Sequence, residues 1–212
     1  MEFTDDRIEQ YCIGHSEEES PLLKRINRET HLEELKPRML SGHFQGRVLA
    51  MLSGMIRPQK VLEIGTYTGY SAICMAEGLA EGGKIITIDK NEELEKKVRG
   101  YLREAEIQDR VEYLIGDAVE IIPTLSGPFD LVFIDADKER YQYYYDKIID
   151  KVKKGGYIIA DNVLWSGKVI DSDKKDRATT AIRDFNSAIK SDQRVQQVML
   201  PIRDGLFVIK KI

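Results

Sequence analysis

The chain has 212 residues, 42% of them hydrophobic, which is enough for one domain (1–212) with a sizeable core. Lysine and arginine total 32 against 36 aspartates and glutamates, a formal net charge of −4, so a global basic footprint for nucleic acid or anionic membrane is excluded. The opening MEFTDDRIEQYC is acidic, and no apolar run approaches the ~18 residues of a membrane span, so a soluble cytoplasmic protein is expected.

Residues 1–57 read as a helical segment, with Ser20 as a cap and Pro21 at the first helical position of SPLLKRINRETHLEEL. Cys12 and Cys74 lie in unlike contexts and are expected to be unpaired. His15, His31 and His43 fall at no metal-ligand spacing and are expected on loops or exposed surface.

The remainder, 58–212, reads as a sheet core. Short β-branched runs, KVLEIG (60–65), KIITID (84–89), VEYLIG (111–116), DLVFID (130–135) and GYIIAD (156–161), alternate with helix-period segments. Those segments are YSAICMAEGLA, NEELEKKVRGYLREA with Asn91 as cap, AVEIIPTL and KERYQYYYDKIIDKV. The pattern predicts an α/β fold with a doubly wound parallel sheet. A polar stretch at 166–177 and the helix RATTAIRDFNSAIK come next. RVQQVML and GLFVIKK, joined by PIRDG, then read as an antiparallel C-terminal hairpin.

Ligands of open α/β sheets bind beyond the carboxyl ends of the strands. The first run ends VLEIGTYTGYS, where Gly65 and Gly69 bracket a tight turn into a helix. The spacing is not the G-x-G-x-x-G of dinucleotide sites, and Glu63 adds negative charge where a phosphate needs none. Asp89 follows Gly65 by 24 positions, near the ~20-residue offset of a ribose-binding acid. Asp117 and Ala118 end the third run, where an adenine edge would lie. Each acid has an alternative as a simple cap, but together they point to an adenosine with a cationic centre and no pyrophosphate, as in S-adenosylmethionine.

Asp135 and Asp161–Asn162 end the fourth and fifth runs, about 4.8 Å apart if these strands are neighbours. Two carboxylates and an amide form an oxygen donor set for a hard divalent cation, Mg2+ with Mn2+ or Ca2+ as competitors. The alternative is a capping Asp161 and a solvated Asp135. Lys138 lies three residues after Asp135 and reads either as a general base, its pKa lowered by such a cation, or as a surface partner of Asp137. Tyr141, Tyr143, Tyr144 and Tyr145 share one helix and are expected mostly to pack against the sheet or a partner subunit. Trp165 is a candidate substrate wall. KKDR at 174–177 reads as a solvated loop or as a device steering an anionic acceptor.

VLEIGTYTGYS, IDADK and ADNVLWSG, in that order, resemble the cation-dependent O-methyltransferases of the caffeoyl-CoA and catechol type. The resemblance implies a seven-stranded Rossmann-like sheet (the class I methyltransferase fold) and a homodimer. It implies cofactor contacts at Ser41, Glu63, Gly65, Thr66, Ser71, Asp89, Ala118 and Asp137, metal ligands Asp135, Asp161 and Asn162, and Lys138 as base. Gly69, Asp117 and Asp135 join the cofactor set from their strand-end positions. Ser166 stands where plant members carry a substrate-contacting Asn, and Ala178 and Ile182 where they carry tyrosines that wall the aromatic substrate. The expectation is therefore methyl transfer to a small catechol-like acceptor. The alternatives are the same chemistry on a hydroxylated uridine of tRNA and, last, a nicotinamide-dependent oxidoreductase.

Overall fold

The structure is a computed structural model and describes residues 6–212, so positions 1–5 of the expected N-terminal helical segment lie outside the described residues. Three helices open the chain, α1 (Asp6–Gly14), α2 (Pro21–Glu33) and α3 (Gly42–Ile56). Ser20 caps α2 as its sequence predicts, its hydroxyl accepting from the Leu23 N–H with Pro21 at the first turn.

The strands are β1 (Lys60–Ile64), β2 (Lys84–Asp89), β3 (Val111–Ile115), β4 (Phe129–Ile134), β5 (Val152–Ala160), β6 (Val195–Leu200) and β7 (Leu206–Lys211). They form one sheet in the order β3-β2-β1-β4-β5-β7-β6. The first five run parallel, and β7 is antiparallel to both β5 and β6. This is the expected seven-stranded, mostly parallel sheet with a C-terminal hairpin. The intervening helices are α4 (Tyr70–Ala76), α5 (Glu95–Glu104), α6 (Ala118–Thr124), α7 (Tyr141–Ile148) and α8 (Arg177–Ser191).

Central strands are mostly apolar because helices cover both faces, with Glu63 and Thr87 as buried polar exceptions. Val61, Ile85, Leu131, Phe133 and Ile159 pack on one side against α2, α3, α4 and α5. Leu62, Ile64, Ile88, Val132, Ile134 and Ile158 pack on the other against α6, α7 and α8. Tyr141, Tyr144 and Tyr145 are buried in this second layer, where Tyr141 and Tyr145 meet Phe185 edge to face. No helix among the described residues is long and apolar enough to cross a membrane.

The boundaries depart from the sequence reading where backbone contacts decide. The helix expected at 70–80 stops at Ala76, and a Cβ on nearby Gly78 would lie 2.2 Å from the Gly54 nitrogen, so the chain there runs hard against α3. Asn91 caps through the Glu93 N–H, but it starts a 3-10 turn at Glu92–Leu94 before α5. The segment from Lys138 to Val152 divides into a 3-10 turn, α7 and a second 3-10 turn. Strand β5 starts at Val152 rather than Gly156, because Phe129 pairs with Val152 and Leu131 with Tyr157, a register slip that contains Gly155 at φ +79°. His31 and His43 sit on α2 and α3, and both cysteines are free.

Candidate active site

The topological switch point lies between β1 and β4, whose carboxyl ends diverge toward helices on opposite faces. A cleft of about 1060 Å3 opens there. Of the residues singled out in the sequence it is lined by Ser41, Gly65, Thr66, Ser71, Asp89, Asp117, Ala118, Asp135, Asp137, Lys138, Asp161, Asn162, Trp165 and Ser166. Glu63 and Gly69 do not reach its surface. Glu63 is fully buried one step inside β1, and Gly69 caps α4 at φ +80°.

Gly65 is required by its neighbour: at φ +103°, a Cβ would lie 1.9 Å from the Asp135 carbonyl oxygen. This close approach joins the β1 turn to the end of β4. Beneath the turn runs a buried chain of hydroxyls. Thr66 Oγ1 and Thr87 Oγ1 are 2.5 Å apart, Thr87 Oγ1 donates to Glu63 Oε2 at 2.5 Å, and Ser71 Oγ donates to Glu63 Oε1 at 2.5 Å. Burial pushes the Glu63 carboxyl up to about 8, against the lowering effect of the two hydroxyls. Asp89 accepts from the Tyr67 N–H at 2.7 Å and the Asn91 N–H at 2.9 Å.

Asp117 does cap α6, through the Val119 N–H at 2.9 Å. It is also held by Arg140, whose Nη1 lies 3.0 and 2.8 Å from its two carboxylate oxygens, and the Val119 and Arg140 contacts keep it below the ordinary carboxylate range. Arg140 also faces Asp137 at 3.5 Å, while Asp137 caps the following turn through the Glu139 N–H.

On the other side of Gly65, Ile134 pairs with Ala160, so Asp135 and Asp161 leave adjacent strands at matched positions. Asp161 is 3% exposed. Its Oδ2 accepts from Gln45 Nε2 at 2.7 Å and its Oδ1 from the Asn162 N–H at 2.6 Å. Burial and then the Asp135 charge push its carboxyl up to about 7. Lys138 donates to Asp135 Oδ1 at 2.8 Å and to the Tyr141 hydroxyl at 2.8 Å. It is thus the partner of Asp135, not of Asp137. Burial disfavours its charge, but the Asp135 carboxylate, with Asp161 nearby, outweighs burial and holds the ammonium above the ordinary lysine value, opposite to the lowering a base requires.

Among the described residues no group of three or more His, Cys, Asp and Glu side chains gathers as a metal centre. The donors available are the Asp135–Asp161 pair and the Asn162 amide. This set suits a hard divalent ion, and the raised Asp161 carboxyl beside a second carboxylate marks a place short of positive charge.

Seven described non-glycine residues have positive φ, and five of them, Tyr67, Asn162, Trp165, Ser166 and Arg203, line this cleft. Such strain concentrates where surrounding contacts enforce a functional geometry. The Trp165 indole N–H is buried without a partner among the described residues, and the Lys168 ammonium lies 5.5 Å from its ring centre. Ala178 borders the cleft, but Ile182 is fully buried in the core and walls nothing. The KKDR segment is exposed, and Asp176 within it caps α8. Sequence reading missed Gln45, Tyr141 as the second Lys138 partner, Arg140 and the Arg203–Asp204 turn. Gln45 is separated from Asp161 by 116 positions, a distance at which local pattern carries no signal.

A family model described as O-methyltransferase matches residues 13–212. The catechol O-methyltransferase domain-containing protein 1 of Mus musculus is 31% identical over 98% of this chain and 81% of its own length. Caffeoyl-CoA O-methyltransferase 1 of Eucalyptus globulus is 34% identical over 82% of this chain and 75% of its own. Among solved structures, the O-methyltransferase of Bacillus cereus in complex with SAH superposes with a TM-score of 0.89 at 29% identity, covering 97% of each chain. The SAH-bound methyltransferase of Podospora anserina gives 0.89 at 28% identity, covering 98% of this chain and 94% of its own. With its sheet order, its strand-end acids and a match over nearly its whole length, the chain belongs to the O-methyltransferase family.

Proposed function

We propose that this chain moves the methyl group of S-adenosylmethionine to a hydroxyl of a small catechol-like acceptor, with a divalent cation, Mg2+ before Mn2+ or Ca2+, at the acceptor side. It is an S-adenosylmethionine-dependent O-methyltransferase, which sets aside the oxidoreductase alternative. The reading adds the metal and the acceptor class. Its main support is the pair Asp135 and Asp161, set at matched ends of adjacent strands in the cleft that also holds Gly65, Ser71 and Asp89.

In this reading Ser41, Gly65, Thr66 and Ser71 receive the methionine portion of the cofactor, with Glu63 behind Ser71 orienting its hydroxyl. Gly69 shapes the turn, Asp89 takes the ribose hydroxyls, and Asp117, Ala118 and Asp137 border the adenine. The cofactor supplies a sulfonium methyl, an electrophile that needs only an aligned oxygen nucleophile. Asp135, Asp161 and Asn162 would hold the cation, and its positive charge would lower the pKa of both the acceptor hydroxyl and Lys138. Lys138 Nζ then takes the hydroxyl proton, and Tyr141 keeps that amine aimed into the cleft. Trp165 and Ser166 border the acceptor, and Ala178 leaves the wall low.

Labelled S-adenosylmethionine incubated with a panel of catechols and with bulk tRNA, with and without EDTA, tests the reading. Chelator-sensitive label in a catechol supports it. Label in tRNA alone moves the acceptor to RNA, and label in a catechol untouched by EDTA removes the metal.

A further inference from the structure

The five-residue turn between β6 and β7, 201–205, touches both loops that border the cleft. On one side, Arg203 Nη1 donates to the Leu40 carbonyl at 2.8 Å and to the Ser41 carbonyl. On the other, the Asp204 carbonyl accepts from the Leu164 N–H at 2.9 Å, the Gly205 carbonyl from the Val163 N–H at 3.3 Å, and Asp204 Oδ1 from the Ser166 N–H. The two remaining amides of 163–167 bond within their own loop, Trp165 to Asn162 at 3.1 Å and Gly167 to Leu164 at 3.0 Å. The packing leaves no slack, since a Cβ on Gly205 would lie 2.5 Å from Leu164 Cγ and 2.9 Å from its nitrogen.

Arg203 holds a left-handed backbone at φ +49°, as do Asn162, Trp165 and Ser166 at +58°, +48° and +52°. For a non-glycine residue this conformation costs ~1 kcal/mol or more and persists where contacts on several sides enforce it. Arg203 meets that condition through the carbonyls it gathers. Among the described residues, no hydrogen bond runs directly between 36–41 and 162–167, so the turn is their polar link.

We propose that Arg203 and Asp204 are positioning residues that clasp the Leu40–Ser41 loop to the Asn162–Ser166 loop, so that a change in one loop is transmitted to the other. The inference rests on the reading above only in naming the first loop the cofactor side and the second the acceptor side. Neither residue touches the reacting atoms. A linkage of this kind is reciprocal, because a turn shared by two loops is loosened for both when either grip is lost.

Hydrogen exchange by mass spectrometry on the full chain tests the clasp without any ligand. Arg203→Met should speed exchange in 163–167, which Arg203 does not contact, and Asp204→Ala should speed exchange in 36–41, each by ~5-fold or more. Arg203→Lys keeps a donor for the two carbonyls and should restore exchange in 163–167 to near the wild-type rate. If each variant loosens only the loop it touches, or if the lysine fails to restore the remote loop, the clasp is overturned. Should Arg203→Met not fold, the Asp204→Ala and Arg203→Lys arms still decide. SAH binding by calorimetry runs beside them: absence of binding to the wild type sinks the cofactor reading and leaves the exchange result standing.

Discussion

Lys138 sets its ammonium 2.8 Å from Asp135 Oδ1 and 2.8 Å from the Tyr141 hydroxyl, so one partly buried amine spans the end of β4 and the start of α7. Tyr141 in turn donates to the Asp161 carbonyl at 3.0 Å. The amine is therefore the counterion of an acidic pair, and in the proposed reaction it is also the group that takes a proton from the acceptor. Two separate readouts report on these two roles.

Lys138→Met removes the countercharge and the proton acceptor together. Methyl transfer to a catechol should fall by ~10²-fold or more, with SAH affinity within a few-fold of wild type. Asp135 and Asp161 then face each other without compensation, so Mg2+ should raise the melting temperature of the variant by more than that of the wild type. Equal shifts in the two proteins would show that the amine and the cation do not share those oxygens.

Gly65→Ala places a methyl group on the Asp135 carbonyl oxygen in a backbone region alanine avoids. The β1 turn must move away from the end of β4, at a cost on the order of 2 to 4 kcal/mol. Scanning calorimetry should show a melting temperature lower by ten degrees or so, and calorimetric titration a loss of SAH binding of ~10-fold or more. Retention of both would mean that the turn is not held as described.

The Glu63 carboxyl, pushed up to about 8 by burial, gives a pH signature. Its folded value lies above the unfolded one of ~4.3, so the folded state favours the proton. The associated stability is full below pH ~4.3 and is lost as pH rises through about 8, by a few kcal/mol in all. Glu63→Gln is insensitive to this loss, so its melting temperature relative to wild type should rise between pH 5 and pH 8.5. A constant difference would mean that Glu63 is ionised throughout.

The five parallel strands were legible because each is a short apolar run ended by an acid or a glycine, and the same endings disclosed Asp89, Asp117, Asp135 and Asp161. Asp117 shows the limit of that logic, since it both caps α6 and lines the cleft. The partner of Lys138 was not legible, because Asp135 and Asp137 lie close on either side of the turn and only the backbone path selects Asp135. Gln45 and Arg203 were silent for another reason. Each reaches the site from a remote segment, Gln45 from α3 and Arg203 from the final hairpin, and their bonds exist only once the sheet is assembled. Ile182 was misplaced because, although it shares the Ala178 face of α8, it lies one turn further along the helix, within the core and away from the cleft.

The most direct test of the central claim, that Asp135, Asp161 and Asn162 hold a catalytic cation, is the initial rate of methyl transfer from labelled S-adenosylmethionine to catechol. It is measured in EDTA and again after Mg2+ is restored, for wild type and Asp161→Ala. The expected result is a fall of ~10²-fold or more in EDTA with full recovery on Mg2+ for the wild type, and no recovery for Asp161→Ala, which still binds SAH within a few-fold. A wild-type rate indifferent to EDTA, or an Asp161→Ala variant as fast as wild type, would contradict the account.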